Sequence, residues 1–239
     1  VAGEILIQHG KRICREDQQQ SGIANLDDRR IAVEDRQQIF SKKLLLGQKI
    51  VDTDFVEEFR VSKTPVREAF LRLKSEGLLE IHPRSGTFVF KFSRNDLSSL
   101  VQARICIEEG ALRCAYLANP VHLCSAFEKS ICDSRRRLAE GELDSYLELD
   151  KEFHNVIFRY SKNAYLESYY NIMFDKINIL RSYLSLNQDF IYNSVEGHSK
   201  IAEYVANDEI DAACRRLREH IANAFNDDFL DFLNAVVKR

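Results

Sequence analysis

From Ser93 to its C-terminal end, the chain repeats apolar residues at helical spacing over more than half of its 239 residues. Short polar breaks at Asn119-Pro120, Gly141, Ser161-Lys-Asn163 and Asn207-Asp208 leave amphipathic segments near 93–117, 120–139, 143–160, 164–186, 190–206 and 208–236. Each stripe needs other helices to cover it, and no strand-like run or glycine-rich phosphate loop intervenes, so an antiparallel all-α bundle is the simplest architecture. Three prolines, nine glycines and no tryptophan also favour a mainly α chain over a turn-rich β fold.

Ahead of this region the pattern differs. Ile39, Leu44 and Leu45 give one apolar stripe, and Phe55, Val56 and Phe59 give another on a short acidic helix. Ser62 stands where an N-cap belongs and Pro65 lies in the first turn. Val66, Ala69, Phe70 and Leu73 then recur at helical spacing before Gly77. Two alternating runs, Leu78-Leu-Glu-Ile81 and Thr87-Phe-Val-Phe90, flank a Ser-Gly turn and predict a β-hairpin. Ser93-Arg-Asn-Asp96 resembles a capping box opening the first bundle helix. The expected domains are a poorly ordered tail over 1–32, a helix-turn-helix with a wing over 33–92, and a helical domain over 93–239.

The formal charge of −3 leaves any polyanion-binding surface to local clustering. No apolar run is long enough to span a membrane and no signal peptide is legible, so a cytoplasmic protein with no membrane partner is expected. Six cysteines at 14, 106, 114, 124, 132 and 214 form no C-x-x-C pair and are expected to be reduced thiols packed as small hydrophobes.

Between Arg60 and Lys74 there are five basic residues, Arg60, Lys63, Arg67, Arg72 and Lys74, against the single acid Glu68. Such clustering is a footprint for phosphates, although a solvated basic face would look the same. Lys63 and Arg67 are four apart, so they share a helix face that can enter a major groove with Ser62 and Thr64. The stretch Phe55-Val-Glu-Glu-Phe-Arg-Val-Ser-Lys-Thr-Pro-Val-Arg-Glu-Ala-Phe70, followed by Pro83-Arg-Ser-Gly-Thr-Phe-Val89, resembles the winged helix-turn-helix of the GntR family of transcription regulators. The resemblance implies that Ser62, Lys63, Thr64 and Arg67 face DNA, and that Arg84, Ser85 and Gly86 form a wing tip on the adjacent minor groove. The chain departs from that pattern in three places. Lys63 replaces an arginine and lacks its planar fork, Arg60 replaces a turn glycine, and Ile50-Val51 stands where Pro-Gly is usual.

Asp150 and His154 are four residues apart on one predicted helix face, and His198 and His220 lie on core-facing stripes of the last two helices. One carboxylate and three imidazoles suit a divalent transition ion, zinc first, with nickel, manganese or iron as alternatives; separately satisfied histidines are the competing reading. Together with Arg104-x-x-x-Glu108, these positions resemble the effector domain called FCD, found behind the GntR head in one subfamily. The resemblance implies a metal held by Asp150, His154, His198 and His220, and a small organic acid held by Arg104. Arg181 is a second candidate contact, with a surface role as its alternative. The resulting expectation is a homodimeric regulator, a repressor, that binds a palindromic double-stranded DNA operator and responds to a carboxylate metabolite. A metal-dependent hydrolase using the Asp/His set is the alternative, weakened by the lack of an H-E-x-x-H motif or an assignable base.

Overall fold

The computed structural model describes residues 28–142, 145–186 and 188–237. These form two compact units that divide between Lys91 and Phe92.

The first unit opens with helix α1 over residues 28–40, followed by β1 (Lys49–Ile50), α2 (Asp52–Phe59), α3 (Lys63–Ser75), β2 (Leu79–His82) and β3 (Gly86–Val89). The strands make an antiparallel sheet of order β1-β3-β2, with Ile81 opposite Thr87 and Ile50 opposite Thr87 on its other side. β2 and β3 are the expected hairpin. β1 was not expected, because two residues carry no periodicity and become a strand only by pairing with β3. Ile31, Ile39, Phe55, Val66, Phe70, Leu73 and Leu78 close the core, and Phe55 packs edge-on against Phe70 with ring centroids 5.2 Å apart.

Residues 28–32 belong to α1, so the tail expected over 1–32 is too long at its inner end; its remainder, with Cys14, lies outside the described residues. Ile31 and Ala32 are buried, and Asp28 accepts a 2.8 Å hydrogen bond from Arg72 on α3. α1 also brings in Asp35, which is buried and has no hydrogen-bond partner for either carboxylate oxygen among the described residues. Burial, then the nearby Glu58 and Glu34, push its carboxyl up to about 8.

The second unit contains α4 (Arg94–Ala118), α5 (Pro120–Ala139), α6 (Tyr146–Ser161), α7 (Ala164–Leu184), α8 (Gln188–Ala206), α9 (Ile210–Ala224) and α10 (Asp227–Val237). The breaks read from the sequence end these helices for identifiable reasons. Asn119 terminates α4 and caps α5 by accepting from the His122 N–H, and the Ser93–Asp96 capping box opens α4. Lys162 is left-handed at the end of α6, and Asn163 caps α7. The helix expected over 208–236 is two helices, because Phe225 leaves helical geometry and the Asn226 side chain accepts from Phe229 N–H to start α10.

α4 packs on α6, α7 and α9, while α5 packs on α6 and α8, which in turn lies along α9. Leu112, Leu123, Phe127, Phe153, Ile157, Ile177, Ile201, Leu217 and Ile221 form the shared core. Among the described cysteines only Cys214 is buried and both Cys106 and Cys132 are exposed, so the expected packing of all the thiols as core hydrophobes is corrected.

Candidate metal centre and nucleic-acid interface

In the first unit, α2 and α3 are joined by a turn at Arg60, whose backbone is left-handed at φ 55° and ψ 44°. The glycine replaced here is therefore missed in energetic terms, since a side chain in this region costs roughly 1 kcal/mol. Ser62 is at the N-cap of α3 but its side chain makes no capping bond. Ser62, Lys63, Thr64 and Arg67 are all exposed along the first turns of α3. Arg67 Nε lies 3.3 Å from Asp52 Oδ2, which ties its guanidinium to the start of α2. Arg72 differs from the other cations of the cluster, being turned toward α1 and Asp28. Arg84, left-handed at φ 67°, and Gly86 at φ 114° form the hairpin turn with Ser85 between them. A Cβ on Gly86 would sit 2.9 Å from Lys49 Cε, so a bare glycine lets Lys49 lie across the wing. Lys49, Arg67 and Thr87 share a groove of about 520 Å³ between α3 and the hairpin. Sequence reading missed Lys49 because its strand carries no signal.

In the second unit Asp150 and His154 on α6, His198 on α8 and His220 on α9 converge, with one donor atom from each lying within 4.8 Å of the others. The four are buried or nearly so. His198 Nε2 and His220 Nε2 stand 3.1 Å apart, and Asp150 Oδ1 is 3.6 Å from His198 Nε2. Nitrogen ligands about 2.1 Å from a common ion stand roughly 3.0–3.4 Å apart, so this imidazole pair fits one edge of a coordination shell.

The charge states also fit. Burial depresses all three imidazoles, His198 and His220 well below the ordinary range, which favours the neutral form that donates a lone pair. Burial alone would raise the Asp150 carboxyl, but the Arg181 guanidinium and the neighbouring imidazoles hold it well below the usual carboxylate range. Arg181 Nε is 2.7 Å from Asp150 Oδ2, an ion pair whose angle falls outside hydrogen-bond geometry. Tyr146 and Ser194 hydroxyls donate to Asp150 Oδ1 at 2.9 and 3.1 Å. Burial and Asp150 raise the Tyr146 phenol, so it stays a donor.

Glu108 on α4 completes the network. Its Oε2 lies 2.6 Å from His154 Nδ1 and its Oε1 accepts from Arg104 Nε at 2.5 Å. Burial opposes its ionisation, yet Arg104 and His154 bring its carboxyl down to about 2. A carboxylate on Nδ1 fixes the tautomer and puts the lone pair of His154 on Nε2, the atom that an ion would have to take over from Arg104. Arg104 Nη2 is 3.0 Å from that Nε2, and the Arg104 guanidinium also lies over the Phe225 ring. Phe153 stacks on His198 with centroids 3.8 Å apart and walls the cluster on one side.

All the sequence-predicted residues of the second unit are thus brought together, Arg104 and Arg181 included, and the surface alternative for Arg181 is removed by its burial. In sequence, Glu108 had no role beyond its i+4 spacing to Arg104, and Tyr146, Phe153 and Ser194 were not singled out. Tyr146 had a signal, four residues before Asp150 on the same helix face, whereas Ser194 reaches Asp150 only through the α6–α8 contact.

Comparison with known proteins supports the same division. Residues 29–89 match the family model of bacterial regulatory proteins of the gntR family, and residues 99–223 match that of the FCD domain. The HTH-type transcriptional regulator YdhC of Bacillus subtilis (strain 168) is 24% identical over 194 residues, covering 81% of this chain and 85% of the relative. The HTH-type transcriptional repressor RspR of Escherichia coli (strain K12) is 31% identical over 111 residues, covering 46% and 49%. The Nta operon transcriptional regulator of Aminobacter aminovorans is 26% identical over 193 residues, covering 80% and 89%. The fold is shared with a GntR transcriptional regulator from Rhodococcus sp. RHA1 (TM-score 0.68, 18% identity, 87% and 98% covered) and with E. coli McbR/YncC (TM-score 0.60, 15% identity, 89% and 97%).

These matches overturn the hydrolase alternative, because family and relatives are regulators. The chemistry agrees, since the buried carboxylates Glu108 and Asp150 are committed to arginine, imidazole and hydroxyl partners rather than held for water activation. A DNA-binding head built on α2, α3 and the wing, followed by a helical unit with its buried Asp/His cluster, places the chain in the GntR family of bacterial transcription regulators, in the branch that carries an FCD domain.

Proposed function

We propose that this regulator is a metal- and carboxylate-responsive repressor that acts as a homodimer on a palindromic operator in the cytoplasm. Its head, from α1 to Lys91, reads DNA with Ser62, Lys63, Thr64 and Arg67 in the major groove and with Arg84, Ser85 and Gly86 along the minor groove. Its sensor, residues 93–239, holds one divalent ion on Asp150, His154, His198 and His220. Repression has precedent in RspR, which is named a repressor. Within the described residues no helix is long and apolar enough to cross a membrane. Exposed Tyr165, Tyr169 and Ile172 on one side of α7 offer an apolar stripe for a second copy.

The observation that carries this reading is the charge inventory of the buried cluster. Arg104 and Arg181 balance Glu108 and Asp150 among neutral imidazoles. A divalent ion adds two positive charges in a desolvated place, so a bound anion is favourable there, and the two guanidiniums offer it charge-assisted hydrogen bonds. When bound, the ion supplies a Lewis-acidic contact for the ligand's carboxylate. The chain's own residues orient it: Glu108 fixes the His154 tautomer, Tyr146 and Ser194 set the Asp150 rotamer, and Arg104 and Arg181 pair with the acid.

Elemental analysis of the purified protein and of His154→Ala after dialysis tests the ion. About one equivalent retained in the first and a large loss in the second is expected. Equal, substoichiometric metal in both would remove the site.

A further inference from the structure

On the face of the head that carries Arg67 stands an acid. Asp52 is the first residue of α2, where Val51 at the N-cap makes no side-chain bond, so its carboxylate serves the exposed N–H end of the helix. Asp54 shares that first turn and is exposed. Asp52 differs from it in its partner, because Asp52 Oδ2 accepts a 3.3 Å hydrogen bond from Arg67 Nε on α3, and both residues line the groove of about 520 Å³ between α3 and the hairpin. Helix packing sets this pairing: Phe55 and Phe70, three residues on from Asp52 and Arg67 respectively, meet edge to face with centroids 5.2 Å apart.

The Asp52 side chain is 25% exposed and that of Arg67 is 67% exposed, so the acid is fixed in the groove wall while the guanidinium it holds stays open to solvent. Toward DNA in general such a carboxylate is unfavourable, since it repels phosphates. Toward a base it is favourable. With the Nε–H of Arg67 engaged by Asp52, the terminal nitrogens Nη1 and Nη2 are left as donors, and that fork matches the O6 and N7 acceptors of guanine. Holding Nε also removes in advance part of the rotamer freedom that a long side chain loses on docking. The negative charge at that edge disfavours a phosphate as the competing partner of the same guanidinium, which is discrimination by repulsion.

We propose that Asp52 is a positioning residue for DNA recognition, which presents the Arg67 fork to a base edge and so raises sequence discrimination while lowering affinity for DNA in general. The proposal rests on the reading of Arg67 as a base contact and adds what makes that arginine select a base over a phosphate. A role confined to the start of α2 would be shared by Asp54 and would not depend on Arg67. A purely electrostatic role would alter the affinity for every duplex alike.

The test uses the full-length protein, a duplex that it selects from a randomised double-stranded DNA pool, and a scrambled duplex of the same length and composition, all at one fixed salt concentration. The quantity read is the ratio of the two affinities. Arg67→Ala is expected to lower this ratio about fivefold or more, the range of a bidentate base contact. Asp52→Asn should lower it comparably while affinity for the scrambled duplex stays equal or rises, and Asp54→Asn should leave it within about twofold. Asp52→Asn added to Arg67→Ala should lower it no further, because the two residues act through one bond. A ratio retained in Asp52→Asn would overturn the proposal and leave Arg67 as a base contact. An equal fall in Asp54→Asn, or a further fall in the double variant, would overturn it as well. A ratio retained in Arg67→Ala removes the base reading, and this proposal with it. Asp52→Ser takes away the carboxylate with a residue suited to a helix start and must reproduce the fall, so the outcome does not hang on the folding of one variant.

Discussion

Arg60 occupies a left-handed turn that favours glycine, and its side chain is exposed, so nothing local offsets the strain. Arg60→Gly is expected to stabilise the head by about 1 kcal/mol and, if Arg60 touches a phosphate, to lower the salt dependence of DNA binding by about one counterion. Thermal unfolding with a salt series on operator DNA measures both, and an unchanged melting temperature would refute the strain argument. Asp35 carries the opposite kind of cost, a buried carboxylate without a partner. Its folded value of about 8 lies above the ordinary 3.8, so the folded state binds the proton more tightly than the unfolded state. Stability contributed by the protonated form is present below pH 3.8 and drains away as pH rises toward 8. Asp35→Asn should therefore match wild type near pH 4 and exceed it near pH 8 by a few kcal/mol, at about 1.4 kcal/mol per unit. Parallel stability curves for the two proteins across that window would show that Asp35 is solvated or paired.

At the scale of elements, the helix ends were legible because their signals are local. Asn119, Asn163 and the Ser93–Asp96 box act on backbone groups within three residues. The convergence of the four candidate ligands was legible for a related reason: Asp150 and His154 share a helix face, and His198 and His220 stand on otherwise apolar stripes. What stayed hidden depends on pairing between elements. Strand β1 exists only against β3, and the break before α10 turns on one side-chain cap at Asn226. Arg181 could be read as an effector contact or as a surface residue, and only the α6 carboxylate of Asp150 shows why it is buried. Glu108 is the instructive case, since its spacing to Arg104 was plain but its second bond, to His154 on α6, is a product of the α4–α6 packing. Glu108→Gln keeps all four candidate ligands and removes the carboxylate behind one of them. Metal affinity, measured by chelator competition well below the melting temperature, should drop about 10- to 100-fold. Unchanged affinity would reduce Glu108 to a partner of Arg104 alone.

At the scale of the whole molecule, the same ligand chemistry must reach the operator through an equilibrium between conformations, because binding at the sensor alters DNA affinity only by its preference for one conformation over another. Such preferences typically amount to about 1–3 kcal/mol, or 5- to 150-fold in operator affinity. Linkage requires the reverse effect as well: saturating operator must change the acid's affinity by the same factor. Arg104 bears directly on this coupling because it touches both Glu108 and His154 and lies over Phe225, where α9 ends, so an anion drawing on its guanidinium perturbs α4, α6 and the end of α9 together. Operator titrations should be run with and without a carboxylic acid that the sensor binds, at one fixed salt concentration because phosphate contacts make affinity steeply salt dependent. The ratio of the two affinities is expected to fall within the stated range in the metal-loaded protein, and to approach one both in Arg104→Ala and after metal removal. A full ratio in Arg104→Ala would detach Arg104 from the effector, and a full ratio without metal would detach the ion from the response.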